Sequence, residues 1–578
     1  MRKITRIGAA GSCVLALALA VTACSGGGTP TNTAPPATAA ATAGAVVPGS
    51  TLIAYTGQVG NFTAANFNPF NQTGSFLQPT QGAIYEPLFY YNIAQAQDPV
   101  PVLGTSFSWN DDGTVLTVKV RENVKFNDGS AMTADDVVYS MNLISHNPAL
   151  NTSGQVWETA KVDDTTVTLT FPKSAFTLEA QILGREPIVP QAVWSSISDP
   201  AAGLNSTPVG TGPYMLDQYS PQAITLKVNP YYWGTGAEAP AVESIRYISL
   251  ASNEAAQTAL LQGQVDWMGS FWPGLDASIK GTNGQLGYVN TPQATTSLFA
   301  CANADLGCKG PQTDPAVRLA MYYAMDRTQL NTQALEGFGK PASPTLLLNW
   351  VNKDQITDPS YMEVPQTPDV AKAKSLLEGA GWAMGSDGYY AKGGKTLELT
   401  VTDVSGWSDY NTACQLLAGQ FKTAGIKLVV NHVAQNQWTQ AEVSGDYQLS
   451  LNSVNMGASS DPYNQYNAYL NSKNTAKAGT AASTNTTRFS NPDVDKAIQT
   501  LASTNDPATK TAQYKTIQDI LIKDMPIIPI YVNQAVTEFS NARITGWPAE
   551  GNLYVFPEPW GGNWGTGILL KTVRPVAK

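Results

Sequence analysis

Between Thr396 and Val430 the chain spells a strand, a helix and a second strand. Leu397, Leu399 and Val401 alternate with polar residues, a helical stretch follows, Gly425 stops it, and Ile426 to Val430 is the return strand. Two strands joined through a helix pair in parallel, because the crossover brings the chain back to the same end of the sheet. This unit makes the chain α/β and sets the grammar for reading the rest. From Thr114 to Arg121, Leu116, Val118 and Val120 alternate with polar residues, the pattern of a half-buried strand. Asn127-Asp128-Gly129 then supplies turn residues. Thr133 with Asp136 resembles a capping box, and Val137, Met141 and Ile144 share one helical face. Asp314-Pro315 opens another helix, with Val317, Met321, Ala324 and Met325 as its stripe. Thr367-Pro368 is expected to open a third, which Gly381 stops. There is no internal repeat, and the lobes built from these units are expected to interleave.

The first residues obey a different rule. Arg2, Lys3 and Arg6 precede an apolar run from about Ile7 to Ala20, which ends at Val21-Thr22-Ala23-Cys24. That order reads as an export signal, and the run is shorter than the roughly 20 residues of a membrane span. Val-Thr-Ala-Cys resembles a bacterial lipobox, which implies cleavage before Cys24 and a lipid on its sulfur. The alternative is an ordinary cleaved signal with an incidental cysteine. Ser25 to Ser50 is mainly Gly, Thr, Pro and Ala without charge, a composition that cannot bury a core and acts as a flexible tether.

Removal of the signal takes the formal net charge from -10 to -13, since Arg2, Lys3 and Arg6 leave with it. A nucleic-acid partner needs a basic face and is excluded on that ground. Only 13% of residues are Asp, Glu, Lys or Arg, about half the ~25% of an ordinary globular chain. Asn, Gln, Ser and Thr carry the polarity instead, as suits a largely neutral ligand. The 555 residues from Cys24 onward, out of 578, suffice for two or three lobes with their own cores. Cys301 and Cys308 are close enough to close a small loop in an exported protein, worth about 2.5 kcal/mol; reduced thiols are the alternative. Cys414 would then be unpaired and in the core.

Seven segments resemble, in order, the peptide-binding (family 5) solute-binding proteins of ABC importers: LTVKVRENVKFNDGSAMTADDVVYSMNLI (116 to 144), PVGTGPYMLDQYSPQAITLKVNPYYWG (208 to 234), ALLQGQVDWM (259 to 268), PAVRLAMYYAMDR (315 to 327), VAKAKSLLEGAGW (370 to 382), RFSNPDVDKAI (488 to 498) and IQDILIKDMPIIPIYVN (517 to 533). Gly210, Gly212 and Pro213 within GTGPY suit a tight turn and identify a fold without touching ligand. The resemblance implies a two-lobed periplasmic-binding-protein fold of type II, a Venus flytrap with a subdomain inserted in the first lobe. Mapped onto this chain, the signal is 1 to 23 and the tether 24 to 50. The first lobe is 51 to 290, with the insertion at about 85 to 200 and completion by 531 to 578; the second lobe is 291 to 530. The crossings fall near Thr291 to Leu298 and Ile528 to Tyr531, and two crossings make a hinge. The same resemblance implies a monomer, tethered at Cys24 to the outer side of the cell membrane, that delivers a small oligomeric solute to ABC permease subunits. No cofactor and no metal are implied.

Candidate ligand-binding residues follow from position. Trp438, in QNQW, matches a family position that lines the ligand cavity. Tyr531, in YVN, matches a cleft tyrosine, and Trp407 is expected at the carboxyl end of a parallel strand, where open α/β sheets bind ligands. Trp157 and Trp272 are weaker candidates, for which a core position is the competing reading. Peptide binders of the family commonly set an aspartate against the ligand's amino group. The corresponding segment here, NSVNMGASSDPYNQY (452 to 466), has no acid at the expected place. Asp461 occupies the position before the proline, and Asn452, Asn455 and Tyr463 fit a neutral, hydroxyl-rich ligand. Oligopeptide and β-linked oligosaccharide therefore both stand as ligand classes.

The rival class is a secreted glycoside or peptide hydrolase. Only two histidines exist, His146 and His432, too few for a multi-histidine zinc site, and neither GxSxG nor GxxxxGK[ST] occurs. The chain is expected not to be an enzyme, although two carboxylates distant in sequence could still pair in space.

Overall fold

The computed structural model describes residues 45–577, apart from 63, 72–78, 152, 458 and 561–563. The leader, Cys24 and the tether to residue 44 lie outside the described residues. Strand β1 (Val47–Tyr55) opens the main sheet. The chain then leaves it for an antiparallel four-stranded sheet of β2 (Gly104–Trp109), β3 (Val115–Val120), β4 (Glu158–Asp163) and β5 (Thr166–Thr170), in the order β2-β3-β5-β4. Helix α1 (Ala134–His146) packs on β4, and α2 (Glu179–Arg185) follows β5. The main sheet resumes with β6 (Tyr214–Ser220), β7 (Ala223–Val228), β8 (Val242–Ile248) and β9 (Trp267–Gly269).

A strand of 15 residues, β10 (Leu286–Ala300), leads into the second half. There α3 (Pro315–Ala324) and α4 (Val370–Gly379) precede the predicted unit, β11 (Glu398–Val404), α5 (Ser408–Thr423) and β12 (Lys427–Val433). Next come α6 (Gln435–Ser444), β13 (Leu449–Asn455), α7 (Pro462–Leu470), α8 (Pro492–Leu501), α9 (Pro507–Asp524) and the long β14 (Ile527–Ser540). One eleven-stranded sheet runs through both halves in the order β12-β11-β13-β10-β14-β9-β1-β8-β7-β6, with the short Lys340–Pro341 strand also on β14.

Local sequence accounts for these elements. β11 and β12 pair in parallel from Glu398↔Lys427 to Val404↔Val433, and Gly425 takes φ +78°, which lets the chain turn out of α5. The Asp136 carboxylate accepts from the Thr133 backbone N–H at 2.9 Å and from its hydroxyl at 3.0 Å, so α1 starts where its polar pair predicts. Helix α4 departs from expectation. It begins at Val370, capped by Asp369 through the Lys372 N–H at 2.9 Å, because the carboxylate rather than Thr367-Pro368 stands directly before the apolar stripe.

The cores divide between two lobes. One joins Leu52, Leu116, Met141, Ile245 and Trp267 to Ile544, Leu569 and Val573, so the inserted segment and the chain's end share it. The other joins Leu298, Met321, Leu399, Leu417 and Ile530, with a third cluster around Phe299, Tyr466 and Ile517. β10 and β14 pass from one lobe to the other side by side, paired from Leu286↔Ser540 to Phe299↔Ile527. Their register slips between Pro292 and Ala294, since a proline offers no N–H to the ladder. Tyr531 and Val532 pack in the second core, and Val536 packs in a separate cluster with Tyr55, Met268 and Leu286.

Candidate functional site

The strand directions aim at the crossing from both sides. β11 and β13 are parallel, and β13 ends at Asn455, opposite Ala294 beside the slip in β10. In the first lobe, β1 and β9 are parallel, and β9 ends at Gly269 opposite Thr537 of β14. Carboxyl ends of parallel strands therefore face one another across the place where the lobes meet, the usual position of ligand in open α/β sheets.

On the second-lobe side an aromatic group stands there. Trp407 follows β11 through Gly406, is half-buried, and meets Tyr410 at 5.3 Å and Trp438 at 5.7 Å between ring centroids, both edge-on. Trp438 lies in the first turn of α6 and is 9% exposed. The Tyr410 hydroxyl and Ser453 Oγ are 2.7 Å apart, and Ser453 Oγ is 3.2 Å from Thr296 Oγ1 on β10. Tyr531 of β14 is buried beside Tyr410 and Asp409. Burial pushes the Asp409 carboxyl above the usual carboxylate range, against backbone N–H groups that stabilise its charge. Asn455 is exposed, and its N–H donates to the Tyr469 hydroxyl at 3.1 Å. Asn452 instead donates to Glu442 at 2.7 Å; Glu442 also accepts from Ser450 at 2.5 Å and is pushed up to about 7 by burial.

Several buried polar atoms at this crossing have no hydrogen-bond partner among the described residues. They are Asn290 Oδ1 and Thr291 Oγ1 on β10, the Tyr531 hydroxyl, Gln534 Nε2 and Glu538 Oε1 on β14, and Trp438 Nε1. Such atoms are rare in folded proteins and are ordinarily satisfied by water or ligand. Glu538 accepts from the Ser270 N–H at 3.1 Å, and the neighbouring Glu558 accepts from Thr537 Oγ1 at 3.0 Å. Burial raises both carboxyls, Glu558 to about 8, and a Cβ on Gly269 would fall 1.6 Å from Glu558 Oε2. Sequence reasoning missed Asn290, Thr291, Gln534, Glu538 and Glu558. The first four are polar residues within the two long strands, the signal the sequence offered; Glu558 lies on neither strand.

Other predicted residues lie elsewhere. Trp157 is 1% exposed in the first-lobe core, tilted on Phe171 at 5.8 Å, and Trp272 is buried with Tyr55, Met268 and Leu275. Both stand in the core positions that are the competing reading of the sequence. Asp461 is likewise engaged. It caps α7 through the Tyr463 N–H at 2.9 Å, and it accepts from Lys510 at 2.7 Å and the Tyr514 hydroxyl at 2.9 Å. With Tyr463 it lines a cavity of 520 Å³ between the inserted segment and the second lobe, near which Arg185 Nη2 donates to the Gly457 carbonyl at 2.7 Å. A disulfide joins Cys301 and Cys308, whose Cα atoms are 5.5 Å apart, and Cys414 is buried and reduced. His146 pairs with Glu158 at 2.8 Å and His432 with buried Asp403 at 2.5 Å. The thiol beside Asp403, that of Cys414, is pushed well up by burial, which opposes nucleophilic use.

Known proteins resemble this arrangement along its length. Residues 98–477 match the bacterial extracellular solute-binding proteins, family 5 middle region. Protein XP55 of Streptomyces lividans is 31% identical over 72% of this chain and 72% of its own length. The glutathione-binding protein GsiB of Escherichia coli K12 is 28% identical over 84% of this chain and 90% of its own. The periplasmic oligopeptide-binding protein of an oligopeptide ABC transporter from Thermotoga maritima superposes with a TM-score of 0.78 at 26% identity, covering 91% of this chain and 99% of the other. Its mannohexaose-bound form superposes at 0.70 with 24% identity over 92% and 100%, a likeness of fold. The fold is the type II periplasmic-binding-protein architecture, two lobes on a shared pair of strands.

Proposed function

The chain belongs to the bacterial extracellular solute-binding proteins, family 5, and from that premise we propose that it captures a short oligopeptide between its lobes and hands it to the permease of an ABC importer. On this reading Cys24 carries a lipid that keeps the receptor at the outer face of the cell membrane. The lobes are 51 to 290 with the chain's end, and 291 to 530, and they close about β10 and β14. Trp438, Trp407, Tyr531 and Asn455 hold the ligand. The observation that carries the reading is the set of unpartnered buried polar atoms at the crossing, from Thr291 and Gln534 to Tyr531 and Trp438. Polar atoms left without partners along the two shared strands and at Trp438 can be satisfied by a polar guest, and an extended peptide backbone supplies donors and acceptors along its length. The printed names of GsiB and of the Thermotoga protein, glutathione- and oligopeptide-binding, add to it.

One observation favours a second reading, a neutral β-linked oligosaccharide. Asp461 is committed to Lys510, Tyr514 and its own helix, so it offers no free charge to a peptide's amino group. Neutral Asn455 and the half-buried face of Trp407 suit sugar rings. A thermal-shift panel of di- to pentapeptides and of cello-, xylo- and manno-oligosaccharides separates the two, because a ligand raises the melting temperature according to its concentration over Kd. Shifts with peptides alone support the first reading, and shifts with sugars alone replace it with the second. Accumulation of cleaved product would move the chain to the hydrolases.

A further inference from the structure

A cavity of 670 Å³ separates the inserted segment of the first lobe from helices α7 and α8 of the second, away from the aromatic group at the crossing. It shares one wall, Thr177 with Tyr463, with the cavity beside Asp461. Its charge is of the opposite sign to that of the chain. Lys173 from the insertion and Lys473 and Lys496 from the second lobe all line it. No ion pair engages any of the three among the described residues. The one acid in the lining, Asp495, accepts from the Ser472 N–H at 2.9 Å and the Ser472 hydroxyl at 2.6 Å, and against the three lysines it leaves an excess of two positive charges. Ser174 lines the insertion wall, and its hydroxyl is buried without a partner just beneath that wall.

In a chain of formal net charge -10, three exposed lysines without ion pairs against one carboxylate around a single concave space are a local excess of positive charge. Low-dielectric walls focus such a field and concentrate anions within it. We propose that this cavity is an anion-binding site, separate from the solute cleft, for a compact polyvalent carboxylate or phosphate. Lysine suits the role as a flexible point charge, and three can converge on one anion from two walls. One of those walls belongs to each lobe, so a bound anion ties the insertion to the second lobe and favours whichever arrangement holds the walls nearer. The site is independent of whether the cleft takes peptides or sugars.

Titration calorimetry at low salt with citrate and with inorganic phosphate tests this on three proteins. They are the wild type, the triple variant Lys173→Gln, Lys473→Gln, Lys496→Gln, and Trp438→Ala. The wild type is expected to bind at least one anion, the triple variant to bind it about tenfold or more weakly, and Trp438→Ala to bind it as the wild type does. Preference for citrate identifies a carboxylate site and preference for phosphate a phosphate site. No heat with either anion in the wild type, an unchanged Kd in the triple variant, or loss of anion binding in Trp438→Ala overturns the proposal.

Discussion

Trp407 and Trp157 are the same amino acid in opposite circumstances, one half-buried at the edge of Trp438 and Tyr410, the other sealed against Phe171. Trp157→Ala should cost about 3–5 kcal/mol of stability, measured by chemical denaturation, and leave solute affinity intact. Trp407→Ala should weaken solute binding about tenfold in calorimetry while the melting temperature barely moves. Buried carboxyls set a pH dependence of their own. Burial pushes Glu86 and Glu442 up to about 7 and Glu558 to about 8, from an ordinary value of 4.5. The folded chain thus binds more protons than the unfolded chain across that interval. Their favourable contribution is full below the unfolded value and is lost as pH rises through the folded values. Melting temperature should climb as pH is lowered from about 8 toward about 5.5, and Glu442→Gln should flatten part of the climb. A profile that falls on acidification over that range contradicts the assignment.

At the scale of elements, the GTGPY segment shows what a motif encodes. Neither Gly210 nor Gly212 takes a positive φ. The reason for glycine is closeness: an added Cβ would lie 2.2 Å from the Ile84 carbonyl oxygen at Gly210 and 2.3 Å from that of Ala83 at Gly212. The expectation of a tight turn is thereby corrected to a close pass of two backbones, fastened by Gly212 N–H to Ile84 O at 2.8 Å. Gly212→Ala should destabilise by about 1–3 kcal/mol, with solute Kd unchanged in the protein that remains folded. The Cys301–Cys308 loop follows β10 directly, and both cysteines are buried. Reduction should lower the denaturation free energy by about 2.5 kcal/mol; a midpoint indifferent to reductant would contradict that.

For the whole molecule, the decisive fact is that one sheet serves both lobes and, among the described residues, β10 and β14 carry it across. Paired strands resist shear yet bend where their ladder is interrupted, and the slip at Pro292 and Ala294 is such an interruption. Solution scattering should show a smaller radius of gyration with bound solute than without. A radius unchanged at saturating solute would mean that the lobes do not close on it.

The chain's own order of residues determined its elements. Alternation in β3, the paired caps of α1 and α3 and the glycine after α5 are contacts between near neighbours, so composition and spacing suffice to place them. Two of the aromatic trio were singled out in the sequence, Trp407 by its place after a parallel strand and Trp438 by its match to a family position. Tertiary structure alone decided which polar residues meet. Asp461 finds Lys510 and Tyr514 some 50 positions away, and Thr296 meets Ser453 across two strands far apart in sequence. Register between distant strands depends on the packing of both lobes at once, which no local pattern encodes.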